Sequence, residues 1–404
     1  MNDLEEVLNP FILFEKDENS REIKIFLVED AEISGQLYYP GTRLYSHKTH
    51  KCYNPIRECI MSLPNQISNS VGTFDISVSS MIERRPVFFF IVNLDNFFHT
   101  LYDSLPYLIS YRYLKQQIPE LLLLTNFANN QQIKHHRFVL EFLEMLNISE
   151  DDLIYPNTKT IYSKIFVSSS YTHDGLSNSP PRQEIYSLYK NLANKVEAND
   201  HYPKKIYVSR RSYKHGNYEN IGTNYTTRRK LVNEDELVYF LASKGYLEVF
   251  TELLSTQEKI ALFKNCTHVV GPIGGGLCNV LFSKPETKLI SIVSPHFLDI
   301  NARFCYSFAN VKVDYFKDTK HVETDKYKKH MRVLIEDMGI VGEIKEVEEN
   351  SVVVMISPDV VAGWNAQTKY ETMIVAKDEV KIIDNGLNSK WTMDMEKFKE
   401  DFNG

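Results

Sequence analysis

An α/β fold is what this sequence predicts, and two observations carry that reading. Between Lys204 and Ser294, strand-like and helix-like stretches alternate in a βαβαβ order, the pattern of a parallel sheet covered on both faces. Hydrophobic residues make up 43% and charged residues 25% of the 404 positions, which is enough apolar matter to bury large cores in two or three domains.

The elements follow in chain order. Residues 1 to about 92 hold short β-branched and aromatic runs (Ile23 to Val28, Gln36 to Tyr39, Thr73 to Val78, Val87 to Val92) broken by Gly, Asn and Pro, a strand-rich opening. From His99 to Leu114 the apolar residues recur at helical spacing, with Pro106 in a first turn or at a kink. A second helix is predicted over Gln131 to Leu146, then a strand at Lys164 to Ser168 and a loop from Ser177 to Pro181.

The clearest stretch comes next. Ile206 to Ser209 reads as a strand; Asn233-Glu-Asp-Glu opens a helix that runs to Lys244 and stops at Gly245; Tyr246 to Phe250 is a strand; Ser255-Thr-Gln-Glu is a capping box. Thr267 to Val270 and Lys288 to Val293 add two strands. From Gly339 to Gly386 several short strands crowd together, the spacing of a small SH3-like β-barrel, before an amphipathic helix from Asp394 to Phe402. The implied domains are 1–195, 196–335 and a β-rich module with its terminal helix over 336–404.

Net charge is −7, so the whole molecule offers no attraction to nucleic acid or to an anionic membrane surface. The five cysteines are odd in number and lack paired metal-site spacing, which suits free thiols in a reducing compartment. The start is acidic rather than basic, and the longest apolar runs are too short for a transmembrane segment. The expectation is a soluble cytoplasmic protein.

Three segments stand out chemically. Lys204 to Lys230 gathers eight Lys and Arg against one acid, Glu219. Arg210 and Arg211 follow a strand directly, at the end where open α/β sheets bind ligands, and guanidinium forks suit diphosphate oxygens. A solvated basic loop is the bland alternative. Gly271-Pro-Ile-Gly-Gly-Gly-Leu-Cys-Asn279 lies between a strand and an apolar stretch, where glycines let backbone amides approach an anion. It is neither a Walker loop nor the dinucleotide fingerprint. In Asn96-Phe-Phe-His-Thr-Leu-Tyr-Asp-Ser-Leu-Pro, His99 and Asp103 share a helix face, so a carboxylate can orient an imidazole; a core histidine at a helix start is the plainer reading. The stretch Asn93-Leu-Asp95 mimics a metal-binding Asp-x-Asp but lacks its first carboxylate.

Taken in order, these segments resemble glycosyltransferase family 61, over about residues 93 to 295. The matching pieces are Asn96 to Pro106, Tyr207-Val-Ser-Arg-Arg, Arg229-Lys-Leu-Val-Asn-Glu-Asp-Glu-Leu, Leu254-Ser-Thr-Gln-Glu-Lys-Ile and the Gly271 to Asn279 loop, with Ile273 where the family carries a loop histidine. The resemblance implies a GT-B architecture of two Rossmann-like domains facing across a cleft. It also implies an inverting reaction with no metal or other cofactor, from a nucleotide sugar donor, expected to be a uridine one, to a glycan acceptor.

On that reading Asp103 is the expected base and His99 its neighbour. Arg210, Arg211, Arg229 and the amides of Gly274, Gly275 and Gly276 form the diphosphate clamp. Asn233, Glu234, Gln257 and Asn279 are further donor-side candidates. Two rivals stay open: a nucleotide-dependent oxidoreductase or epimerase, and a degenerate member that holds a glycan or nucleotide without transferring sugar.

Overall fold

The computed structural model describes residues 11–16, 22–35, 37, 42–55, 68–70, 81–127, 135–157, 159–172, 181–197, 199–211, 230–295, 302–322, 326–329, 331–356, 371–384 and 390–402. The protein is a mixed α/β molecule with several sheets, and the chain divides into two units, Met1–Lys195 and Val196–Gly404.

At the centre of the first unit lies the strand Val87–Phe90. It runs parallel to Leu122–Thr125, which runs parallel to Leu153–Ile154, and on its other side it is parallel to Thr160–Ser168. The sequences VFFF and LLLT show no alternation because every position is buried, as both faces of the parallel sheet are covered. The strands Ile23–Gly35, Thr42–Ser46, Lys51–Asn54 and Ser68–Ser70 continue the sheet in antiparallel fashion beyond Thr160–Ser168. Of the expected strands, Thr73 to Val78 lies outside the described residues, as does Gln36 to Tyr39 apart from Leu37.

Two helices make the crossovers, Tyr107–Gln117 and Arg137–Met145. Gln131, where the second was expected to begin, lies outside the described residues. The helical spacing from His99 resolves into a wide π-type turn, His99–Ser104, then the α-helix, with Pro106 as its N-cap at φ −58°. Proline fits there because its missing N–H falls where helical hydrogen bonding changes register.

In the second unit the strands Lys205–Val208, Leu247–Val249, His268–Pro272, Lys288–Ile292 and Lys312–Phe316 form one parallel sheet. In spatial order they run second, first, third, fourth, fifth. This doubly wound order reverses direction between the first and third strands, and the crevice outside their carboxyl ends is the general ligand position. Local sequence sets the connecting helices. Gly245, at φ +81°, ends Glu234–Ser243 in the left-handed conformation that glycine adopts without strain. Ser255 and Glu258 close a reciprocal capping box at the start of Thr256–Asn265.

The tail departs from the expected arrangement in two ways. The strands Arg332–Ile335, Ile340–Val347, Ser351–Ile356, Glu371–Ala376 and Val380–Asp384 form an antiparallel sheet. Among the described residues Glu371–Ala376 and Val380–Asp384 are its two edges, so it does not close into a barrel. It has its own small core of Met331, Val333, Ile335, Ile344, Val352, Val354, Val375 and Val380. The strand Lys390–Met393 and the helix Met395–Asp401 do not join it. Trp391, Met393, Met395 and Phe398 pack instead with Tyr207, Leu237, Leu241 and Phe316 in the core of the parallel-sheet unit. The antiparallel sheet is therefore an insertion. The strands on either side of it, Thr319–His321 and Lys390–Met393, are paired antiparallel, and the Val322 amide donates to the Lys390 carbonyl at 2.9 Å.

Candidate active site

In the first unit the polar side chains collect just past the carboxyl ends of the parallel strands. The π-type turn after Val87–Phe90 brings His99 Nδ1 within 2.6 Å of Asp103 Oδ2. Asp103 is wholly buried and His99 is 8% exposed. The other carboxylate oxygen, Oδ1, accepts from Thr172 Oγ1 at 3.1 Å, from beyond the carboxyl end of Thr160–Ser168. The His99 amide donates to Asn96 Oδ1 at 3.3 Å, and the Thr100 and Ser104 hydroxyls donate to the Asn93 carbonyl, so the turn is tied at both ends. With a carboxylate at Nδ1, the neutral imidazole carries its proton there and its lone pair on Nε2.

A second imidazole–carboxylate pair lies at the same strand ends. His136 Nε2 is 2.9 Å from Asp95 Oδ1, and its ring stacks on Phe138 at 5.5 Å. Sequence reasoning treated Asp95 only as a fragment of a metal motif. The signal that finds the pair is positional: a carboxylate just after one parallel strand and a histidine opening the helix after the next.

In the second unit Arg210 and the glycine loop are neighbours. Arg210 follows the first strand of the parallel sheet and Gly274 follows the third, so the two meet at the point where the strand order reverses. A Cβ on Gly274 would run into the Arg210 guanidinium, so glycine is what lets the cation lie along the loop backbone. Gly271 and Gly276 are tight for another reason: a Cβ on either would press on Val208. The helical turn Gly275–Phe282 opens directly after Gly274, with its first amides at the strand ends. Asn279 is fully buried; its Nδ2 donates to the Gly276 carbonyl at 2.8 Å, and its Oδ1 has no hydrogen-bond partner among the described residues.

Glu234 holds this corner together. Its Oε1 accepts from Tyr207 Oη at 2.8 Å, Ser209 Oγ at 2.9 Å and the Arg210 amide at 2.9 Å. Burial, and the Glu234 charge beside it, push the Tyr207 hydroxyl well above its ordinary pKa, so it stays a donor. Burial lowers the Arg210 pKa, while the Glu234 and Glu252 carboxylates act in the opposite sense.

Other expected donor-side residues are engaged elsewhere. Arg211 forks onto Glu248, Nε to Oε1 at 2.5 Å and Nη2 to Oε2 at 2.6 Å, and also binds Asp235; these carboxylates raise its pKa. Asn233 clasps the backbone of Met393, with Nδ2 donating to the carbonyl at 2.9 Å and Oδ1 accepting from the amide at 3.2 Å. Gln257 is exposed on its helix, and Arg229 lies outside the described residues. Ile273, where the related loop carries histidine, is 3% exposed, and its amide donates to the Ile292 carbonyl at 2.8 Å, so it is a core residue extending the sheet.

With this geometry in place, comparison with known families identifies the class. Residues 97–290 match the family model Glycosyltransferase 61. That span, just under half of the chain, is what resembles the family, and with it the protein is a glycosyltransferase. The matched span begins at the turn that carries His99 and ends within the strand Lys288–Ile292. No curated protein matches the chain.

Proposed function

We propose that the protein is an inverting glycosyltransferase of the GT-B type that takes its sugar from a nucleoside diphosphate donor and passes it to a hydroxyl of a glycan acceptor without a metal. The observation that carries this reading is the Arg210 guanidinium lying along the Gly274 backbone at the switch point of a doubly wound sheet. A fixed cation beside the amides that open a helical turn is a cradle for a departing diphosphate, whose charge grows as the glycosidic bond breaks. Those groups supply the stabilisation that a metal supplies in other transferases.

His99 is the base in this proposal, through Nε2. The reading built on the family resemblance gave that role to Asp103, but Asp103 is buried and both its oxygens are engaged, by His99 and by Thr172. That supports a positioning carboxylate, which fixes the imidazole tautomer and stabilises the imidazolium that forms. The acceptor O–H gives its proton to Nε2, and its oxygen attacks the anomeric carbon from the face opposite the diphosphate. The bond from that carbon to the phosphate oxygen breaks, and the electron pair leaves with the nucleotide. One displacement inverts the configuration.

The test is turnover with a panel of nucleotide sugars and oligosaccharide acceptors in excess EDTA, with the product's anomeric configuration read by NMR. An inverted product formed at the metal-free rate is expected. Retained configuration, or activity that EDTA abolishes and manganese restores, overturns the mechanism.

A further inference from the structure

A second carboxylate stands at the same switch point as Glu234. Glu252 sits in the short turn Thr251–Leu253, just past the carboxyl end of Leu247–Val249, the strand beside Lys205–Val208. The turn lies against the glycine loop, since a Cβ on Gly276 would come within 3.0 Å of Thr251 Oγ1. The Glu252 charge is felt by Arg210. Yet Glu252 Oε1 is buried and has no hydrogen-bond partner among the described residues. Glu234, by contrast, has its Oε1 filled by three donors.

A buried carboxylate oxygen without a donor is costly, and it persists where a ligand supplies the donor. The donor cannot be a phosphate, which offers only acceptors at neutral pH and would be repelled. A nucleotide sugar carries such donors in the hydroxyls of its ribose and its sugar and in the N–H groups of its base. Across the sheet the order is then Glu252 after the second strand, Arg210 after the first and the glycine loop after the third. If Arg210 and the loop hold the diphosphate, Glu252 stands at one flank of it. In doubly wound sheets the flank at the end of the second strand is where an acidic side chain meets the ribose hydroxyls of a nucleotide.

We propose that Glu252 recognises the ribose diol of the donor nucleotide and makes the enzyme selective for ribonucleotides over deoxyribonucleotides. The inference rests on the donor reading above. The transferred sugar also carries hydroxyls, and the experiment separates the two sources.

Calorimetric titration of the full chain with UDP, GDP, ADP and CDP first identifies the tightest nucleotide. Wild type, Glu252→Ala and Glu252→Gln are then titrated with that nucleotide, its 2′-deoxy and 3′-deoxy forms, and a nucleotide sugar built on it. Wild type is expected to bind at least one deoxy form about 10-fold more weakly than the parent. Glu252→Ala should bind the parent about 10-fold more weakly, with the preference for ribose gone. Glu252→Gln keeps the side chain's volume and one acceptor, so it should fall between the two and remain folded if the alanine variant does not.

If Glu252→Ala, or Glu252→Gln where the alanine variant does not fold, keeps the full ribose preference, Glu252 does not read the ribose. A loss confined to the nucleotide sugar, with the bare nucleotide unaffected, assigns Glu252 to the transferred sugar and overturns the ribose assignment. Failure of wild type to bind any of these nucleotides overturns the donor reading itself, and this inference with it.

Discussion

The parallel strands of the two units place their polar residues in the same position, outside their carboxyl ends, but stock it with different chemistry. In the first unit the groups are imidazoles held by carboxylates, His99 with Asp103 and His136 with Asp95. In the second they are a guanidinium, backbone amides and a carboxylate clasp, with no histidine in the set. An imidazole changes charge near neutrality and suits a step that moves a proton. A guanidinium does not lose its proton in proteins and suits a step in which charge must be held still. In the proposed mechanism one architecture serves two tasks through the side chains that follow its strands.

The sharpest way to break this contrast is to remove the imidazole. His99→Ala should lower turnover about 1000-fold, while nucleotide affinity by calorimetry stays within about 2-fold. Asp103→Asn should cost about 100-fold and shift the pH profile of turnover, because the imidazole loses the carboxylate that fixes its tautomer. A loss of nucleotide affinity in either variant would mean that the two strand-end sets do not divide the work in this way.

Next in size is Phe398→Ala. The side chain is 2% exposed and packs edge-on against Phe316 at 5.1 Å. Its removal should cost about 3 kcal/mol of stability, read from urea unfolding followed by tryptophan fluorescence. A cost below about 1 kcal/mol would detach the terminal helix from the parallel-sheet core.

The adjacent arginines then separate function from scaffold. Arg210→Ala should weaken nucleoside diphosphate binding and lower kcat/KM together, by about 100-fold. Arg211→Ala should leave both near wild type and instead cost about 1–2 kcal/mol of stability, since its fork onto Glu248 joins two side chains that are each 19% exposed. The reverse pattern would exchange their roles. Smallest of all is Gln257→Ala: the residue is exposed, and neither melting temperature nor donor affinity should change measurably.

What was legible in the sequence was mostly local. The capping box at Ser255, the glycine stop at Gly245 and the fully apolar strands have short-range causes and stand where their patterns put them. The His99–Asp103 contact was legible for the same reason, because four residues along a helical turn fix a common face. His136 and Asp95 are 41 residues apart and meet only because Val87–Phe90 and Leu122–Thr125 align in parallel.

The same limit explains the tail. Its strands could be read from alternation, but whether a sheet closes is set by pairing and twist, which alternation does not encode. Asn233 looked like a helix cap because its partner, Met393, is 160 residues away. Arg211 looked free for a ligand because Glu248 and Asp235 lie on other elements.

The inserted sheet has a consequence in time. Chains fold as they emerge from the ribosome, N-terminal regions first. Here the parallel strands of the second unit are made by Phe316, but Trp391 and Phe398, which complete their core, follow only after the whole inserted sheet. A nascent chain paused inside the insert therefore carries an unfinished apolar surface around Leu237, Leu241 and Phe316. That interval is when a chaperone has something to hold. Because the insert leaves and returns at hydrogen-bonded neighbours, Val322 and Lys390, its length can change with little effect on the finished core while setting how long that interval lasts.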